Sequence, residues 1–241
     1  MTLDFMAALR RDGTAFAELL DTAELSARVP SCPEWDVAEL GYHLSEVYAF
    51  WATVVGERRR GEGEVAILAR PHDSEVAALF EQQLEHLVSV LEAVPGDTEV
   101  WAWWGPAVAA DVVRRMAQET AMHLCDLQLA LGQQPTIEPE LASDAIDELL
   151  EWFLPWVAAK WPTEVGGSVH IHCGDVPGEW TLMPDDGGVR VTREHAKGDC
   201  ALRGTASDLA LAVWRRLPLD AVDVVGDRAV AERFVAVLGL D

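Results

Sequence analysis

Residues 114–132 read RRMAQETAMHLCDLQLALG, and the rest of the chain is read around them. Good helix formers dominate the stretch and no proline interrupts it. Gly132 is suited to the left-handed conformation that closes a helix, and Pro135 follows shortly after. The segment is therefore predicted to be helical. Glu119 and His123 then lie four apart and project from one face in adjacent turns. A carboxylate and an imidazole held this way can act as two metal ligands, although the same spacing also arises on solvated faces. A third ligand has to come from elsewhere.

One segment upstream offers it. Val29-Pro30-Ser31-Cys32-Pro33-Glu34-Trp35 reads as a loop fixed by two prolines. Asp36 follows as an N-cap, and Glu39 completes a capping-box pattern. The helix this starts runs to about Arg59, with Leu40, Leu44, Val47, Phe50, Trp51 and Val54 as its apolar positions. His43 sits among them. A lone histidine there would ordinarily be a core residue bonded to a carbonyl or carboxylate. In an antiparallel bundle, however, His43 can face Glu119 and His123. Two imidazoles and one carboxylate make the three protein ligands of an open, catalytic metal site, whereas structural zinc is usually closed by four. Zinc suits the set, as do iron(II) and nickel. Asp126, three residues after His123, is either a partner for its ring N–H or an ordinary solvated carboxylate.

Helical periodicity also marks Leu3 to about Leu20 and Asp73 to Val94. His72 and His86 read as surface or boundary residues. Arg58-Arg59-Arg60-Gly61-Glu62-Gly63-Glu64 is a charged loop whose basic triplet suits the negative end of the preceding helix. Trp101, Trp103 and Trp104 would either wall a pocket or plug the end of the bundle. A fifth helix is expected from Glu138 to Trp161, kinked at Pro155.

Beyond Pro162–Gly167 the periodicity turns to alternation. Strands are expected at Ser168–Cys173, Glu179–Met183, Gly188–Arg193 and Cys200–Gly204, then helices at Ser207–Arg216 and Asp227–Leu238. The expected organisation is a helical bundle, residues 1–164, followed by a small α+β domain, residues 165–241. His170 and His172 share one face of a strand and are a rival metal pair, but no third ligand is evident beside them.

The chain has 241 residues, half of them hydrophobic, enough for one large domain or two modest ones. A net charge of −23 repels polyphosphate and argues against a nucleic-acid partner; any site for a small acid must carry its own arginine. No apolar run approaches the roughly 18 residues of a membrane span. The first residues lack the pattern of a signal peptide, so the expected compartment is the cytoplasm. The four cysteines, Cys32, Cys125, Cys173 and Cys200, are scattered and read as free buried thiols. A nucleophile elbow, a phosphate-cradling glycine loop and an HExxH helix are absent from the sequence.

Two stretches carry a resemblance. Val29 to Leu40 with His43-Leu44, and Trp104-Gly105-Pro106 with Glu119-Thr120-Ala121-Met122-His123 and Asp126, resemble the two N-terminal motifs of the mycothiol-dependent maleylpyruvate isomerase family. Leu202 to Leu209 and Val225-Gly226-Asp227 are similar to its C-terminal domain. Where the family commonly has Arg-Trp after the histidine of the second motif, this chain has Leu124-Cys125. The resemblance implies a mixed fold, a DinB-like four-helix bundle followed by an SCP2-like α+β domain. It implies a divalent metal, usually zinc, on His43, Glu119 and His123, and a small thiol, mycothiol or a similar one, as partner. The implied activity is that of an isomerase or S-transferase on a small electrophile, in a monomer or homodimer. Arg115, one turn before Glu119, is either the arginine that steadies a substrate carboxylate or enolate, or a surface ion pair. The alternatives are a non-catalytic metal- or ligand-binding protein and a metal-dependent hydrolase.

Overall fold

A computed structural model describes residues 3–61 and 65–238; Glu62, Gly63 and Glu64 of the charged loop lie outside the described residues. The chain divides into two compact units, Met1–Pro135 and Thr136–Asp241.

The first unit is a bundle of four long helices. α1 (Phe5–Thr22) starts on Asp4, whose side chain accepts from the Ala7 N–H. α2 (Val37–Gly56) starts on the expected capping box: the Asp36 carboxylate accepts from the Glu39 N–H and the Glu39 carboxylate from the Asp36 N–H, each at 3.0 Å. These bonds satisfy amide donors that an open helix end leaves unpaired. α3 (Val76–Ala93) follows a single 3-10 turn over Asp73–Glu75. A short antiparallel ribbon, β1 (Glu99–Val100) with β2 (Ala107–Val108), leads into α4 (Ala109–Ala130). The opening stretch is thus the body of a helix that begins five residues earlier. It closes where expected, with Gly132 at φ 70°.

Within the bundle α1 packs on α4 and α2 on α3, with α2 also against α4. Leu9, Phe16, Leu20, Leu40, Leu44, Phe80, Leu87 and Met116 are wholly buried. The rings of Phe16 and Tyr48 meet Phe80 at 4.6 and 5.5 Å between centroids. Tyr48 also ties α2 to α4: its hydroxyl lies 2.6 Å from Thr120 Oγ1, which itself donates to the Met116 carbonyl at 2.6 Å. Since the threonine proton is spent on Met116, Tyr48 is the donor of the pair. Among the described residues no helix is long and apolar enough to cross a membrane.

The second unit opens with α5 (Pro139–Glu148), which was expected to belong to the bundle. It packs instead on a later helix, Ala206–Val213, within Thr136–Asp241. A bundle helix and a helix covering a sheet carry the same apolar stripe, and the stripe does not name its partner. The single kinked helix expected to reach Trp161 is also broken into pieces. A π turn over Leu149–Phe153 precedes α6 (Leu154–Val157), and a 3-10 turn and a second π turn carry the chain to Val165. Proline has no N–H for a helical bond and crowds the preceding turn, so Pro155 widens the spiral before it.

β3 (Val169–Cys173), β4 (Glu179–Asp185), β5 (Gly188–Thr192), β6 (Cys200–Gly204) and β7 (Asp223–Gly226) form one sheet in the order β5-β4-β3-β6-β7. Only β3 with β6 runs parallel; the other pairs are antiparallel. The helices α7 (Ala206–Val213) and α8 (Arg228–Val237) contact β3 and β6, so the sheet buries its centre against helices. Ile171, Leu182 and Leu202 are fully buried there. The strand β7 was not foreseen.

Candidate metal centre

α2 presents His43 and α4 presents Glu119 and His123, and the three side chains converge. His43 Nε2 lies 3.7 Å, and His123 Nε2 3.3 Å, from the same oxygen of Glu119. The two imidazoles stand nearly edge to face, 5.1 Å between centroids. Helical pitch aligns Glu119 with His123, and the capping box that fixes the start of α2 sets His43 two turns inside it. The site is closed on the α4 side and open on the α2 side: the His123 side chain is 8% exposed and that of His43 33%.

The imidazole of His123 is oriented from behind. Its Nδ1 donates to Asp126 Oδ2 at 2.9 Å, which turns Nε2 toward Glu119. Asp126 is fully buried, and its other oxygen accepts from the Ser31 hydroxyl at 2.5 Å. Of the two readings of Asp126, the solvated carboxylate does not hold. Ser31 is supplied by the loop between the prolines, which is folded on itself by bonds from the Cys32 N–H to the Val29 carbonyl and from the Trp35 N–H to the Cys32 carbonyl. That loop also lays the Trp35 ring on His43, 4.6 Å between centroids. Ser31 and Trp35 were not singled out from the sequence. The bracketing prolines, which hold the loop in one shape, were the available signal.

Arg115 is buried and paired with Glu119, so it is not a surface ion pair. Burial pushes the Glu119 carboxyl up, but the Arg115 guanidinium and His123 outweigh this and hold it well below the usual carboxylate range. Burial pushes His123 down, while Glu119 and Asp126 pull it up to about 9. The pocket thus favours positive charge at the point where the imidazoles meet the carboxylate. Around a cation with bonds of about 2.1 Å, tetrahedral ligand atoms stand about 3.4 Å apart, and the separations of 3.3 and 3.7 Å are of that size. The residues present therefore fit a borderline divalent cation such as zinc.

Other expected features fall elsewhere. Arg59 pairs with Glu57 and Arg60 with Glu99, so these members of the basic triplet answer carboxylates. Trp101 meets Phe50 of α2 edge to face at 6.2 Å between centroids, Trp104 lies 5.3 Å from Trp51 at a tilt, and Trp103 stands edge-on to Trp104 at 5.0 Å. His72 accepts from the Ser74 N–H, a small capping role. His170 and His172 lie in the other unit, beside a carboxylate that sequence spacing did not reveal, Glu179.

Two family models match the sequence: the one described as the mycothiol maleylpyruvate isomerase N-terminal domain over residues 6–128, and the MDMPI C-terminal domain over residues 140–233. A crystal structure of the mycothiol-dependent maleylpyruvate isomerase shares the fold at a TM-score of 0.68 and 13% identity, over 92% of this chain and 91% of that one. A mutant of that enzyme gives 0.66 and 12% over the same shares. No curated protein sequence matches.

Proposed function

Because the chain belongs to the mycothiol maleylpyruvate isomerase family, we propose that it is a thiol-dependent isomerase of a small electrophile resembling maleylpyruvate. Mycothiol or a similar low-molecular-weight thiol is its partner. A divalent cation, zinc by the chemistry of the donors, would be held by His43, Glu119 and His123. When bound, the metal supplies Lewis acidity that keeps a thiol as thiolate near neutral pH, and the thiol supplies reversible addition to a conjugated double bond.

The observation that carries this reading is the convergence of two imidazoles and one carboxylate from α2 and α4. The remaining parts follow from the same geometry. Asp126 holds the His123 tautomer and Ser31 holds Asp126. Arg115 keeps Glu119 anionic and aimed, a positioning role. Trp35 lies against His43, whose side chain is one-third exposed, and thiol and substrate would enter from that exposed side. The cytoplasm, where small thiols stay reduced, is the compartment that suits this chemistry.

The test is turnover of maleylpyruvate with mycothiol by the zinc-loaded full chain. Chelation should abolish it, and His123→Ala should lower it by about a hundredfold or more. Thiol-dependent turnover undiminished in metal-free protein would defeat the reading.

A further inference from the structure

A second convergence of ligand atoms lies in Thr136–Asp241. β3 places His170 and His172 on one face of the sheet, and its register with β4 sets Glu179 opposite His172. His195 reaches the same point from the stretch between β5 and β6. All three imidazoles meet one oxygen of Glu179: His170 Nε2 at 2.8 Å, His195 Nδ1 at 2.5 Å and His172 Nδ1 at 3.3 Å.

One carboxylate oxygen has two lone pairs, and His170 and His195 use them. His172 Nδ1 is left over. It is shut off from water and has no hydrogen-bond partner among the described residues. A buried polar atom without a partner costs about 1–3 kcal/mol and calls for an explanation. A cation at the shared point would satisfy all four groups together. Zinc with bonds of about 2.0–2.1 Å needs ligand atoms about 3.3 Å apart; His170 and His195 therefore need to draw back from the Glu179 oxygen by less than an ångström, and the ligand atoms of His170, His172 and Glu179 lie within 4.8 Å of one another. His195 is exposed and free to make that adjustment.

We propose that His170, His172, Glu179 and His195 form a second divalent-cation site, of the zinc type. Three imidazoles and one carboxylate are four protein ligands, the number of a closed structural centre. It fastens β3 to β4 and to the segment that leads into β6. The cation enters through a cavity of about 670 Å³ that these histidines line together with Arg203. The site shares no residue with the trio on α2 and α4, and stands whether or not that trio holds a metal.

The test uses the full chain carrying Glu119→Gln and His123→Ala, which disables the first trio. Stripped of metal, it is titrated with Zn²⁺ against a chromophoric chelator, and with Co²⁺ while the visible spectrum is recorded. About one equivalent of zinc should bind, and cobalt should give the intense bands of a tetrahedral site. His172→Ala, or the near-isosteric Glu179→Gln, should weaken zinc by about a hundredfold, and His195→Ala by about tenfold. His195 is on the surface, so its variant reports even if a strand variant fails to fold. No bound equivalent in the starting variant overturns the proposal. So does an equivalent that survives both His195→Ala and whichever strand variants fold.

Discussion

Asp126 makes no contact with the point where a metal would sit, yet it decides how His123 presents itself. Replacing it with Asn keeps the shape but lets the amide offer an N–H where an acceptor is needed. Asp126→Asn should therefore weaken zinc at the first site by about ten- to a hundredfold, read by competition titration, and Ser31→Ala by less. An unchanged affinity would mean that His123 is held by packing alone. The cysteines give a residue-scale expectation with a pH sign. Burial, helped by nearby aspartates, pushes Cys173 and Cys200 up to about 11. Both stay protonated at pH 8 and gain thiolate only as pH approaches that value. Iodoacetamide at pH 8 should label the half-buried Cys32 and spare these two until the chain unfolds, as peptide mass spectrometry would show. Because the folded thiols hold their protons more tightly than unfolded ones, the fold should lose stability as pH rises above the ordinary thiol value, 9.0, toward 11.

At the scale of elements, two devices carry weight. The capping box fixes the start of α2, and Asp36→Ala should cost about 1 kcal/mol in denaturant unfolding. Gly226, in β7, adopts φ 92°, and a Cβ there would stand 2.4 Å from the Asp199 carbonyl oxygen. Backbone cannot yield as a flexible side chain does. Gly226→Ala should destabilise the chain by about 2–3 kcal/mol or displace β7 from β6, seen as a lowered unfolding midpoint. The same elements show what the sequence could disclose. The capping box, the closing Gly132 and the four longer strands announce themselves through local rules, because their determinants lie within a few residues. β7 does not: it is four residues long and mostly exposed, without the alternation that marks a half-buried strand. Glu179 escaped as the partner of His170 and His172 because cross-strand proximity depends on register, which spacing along the chain does not give.

For the whole molecule, charge and metal content are the levers. A net charge of −23 spread over 241 residues works against compaction. Moderate sodium chloride should raise the melting temperature by screening that repulsion. Zinc should raise it further: free metal at a hundred times its dissociation constant adds about 2.7 kcal/mol for each site that binds only the folded chain. A melting curve indifferent to zinc would count against both centres. The order of a helical part before a sheet part was legible from the change of periodicity near residue 165. The division at Pro135 was not, because nothing in the stripe of α5 tells which neighbour will cover it.

The hydroxyl pair of Tyr48 and Thr120 has a consequence for the ligands beside it. Thr120 directly follows Glu119, so the bond acts as a dowel between the two helices that carry the trio. A slip of one residue along either helix would swing a ligand about 100° around its axis and scatter the set. What keeps the donors facing one another is thus an interlock buried one layer beneath them, where neither thiol nor substrate ever reaches.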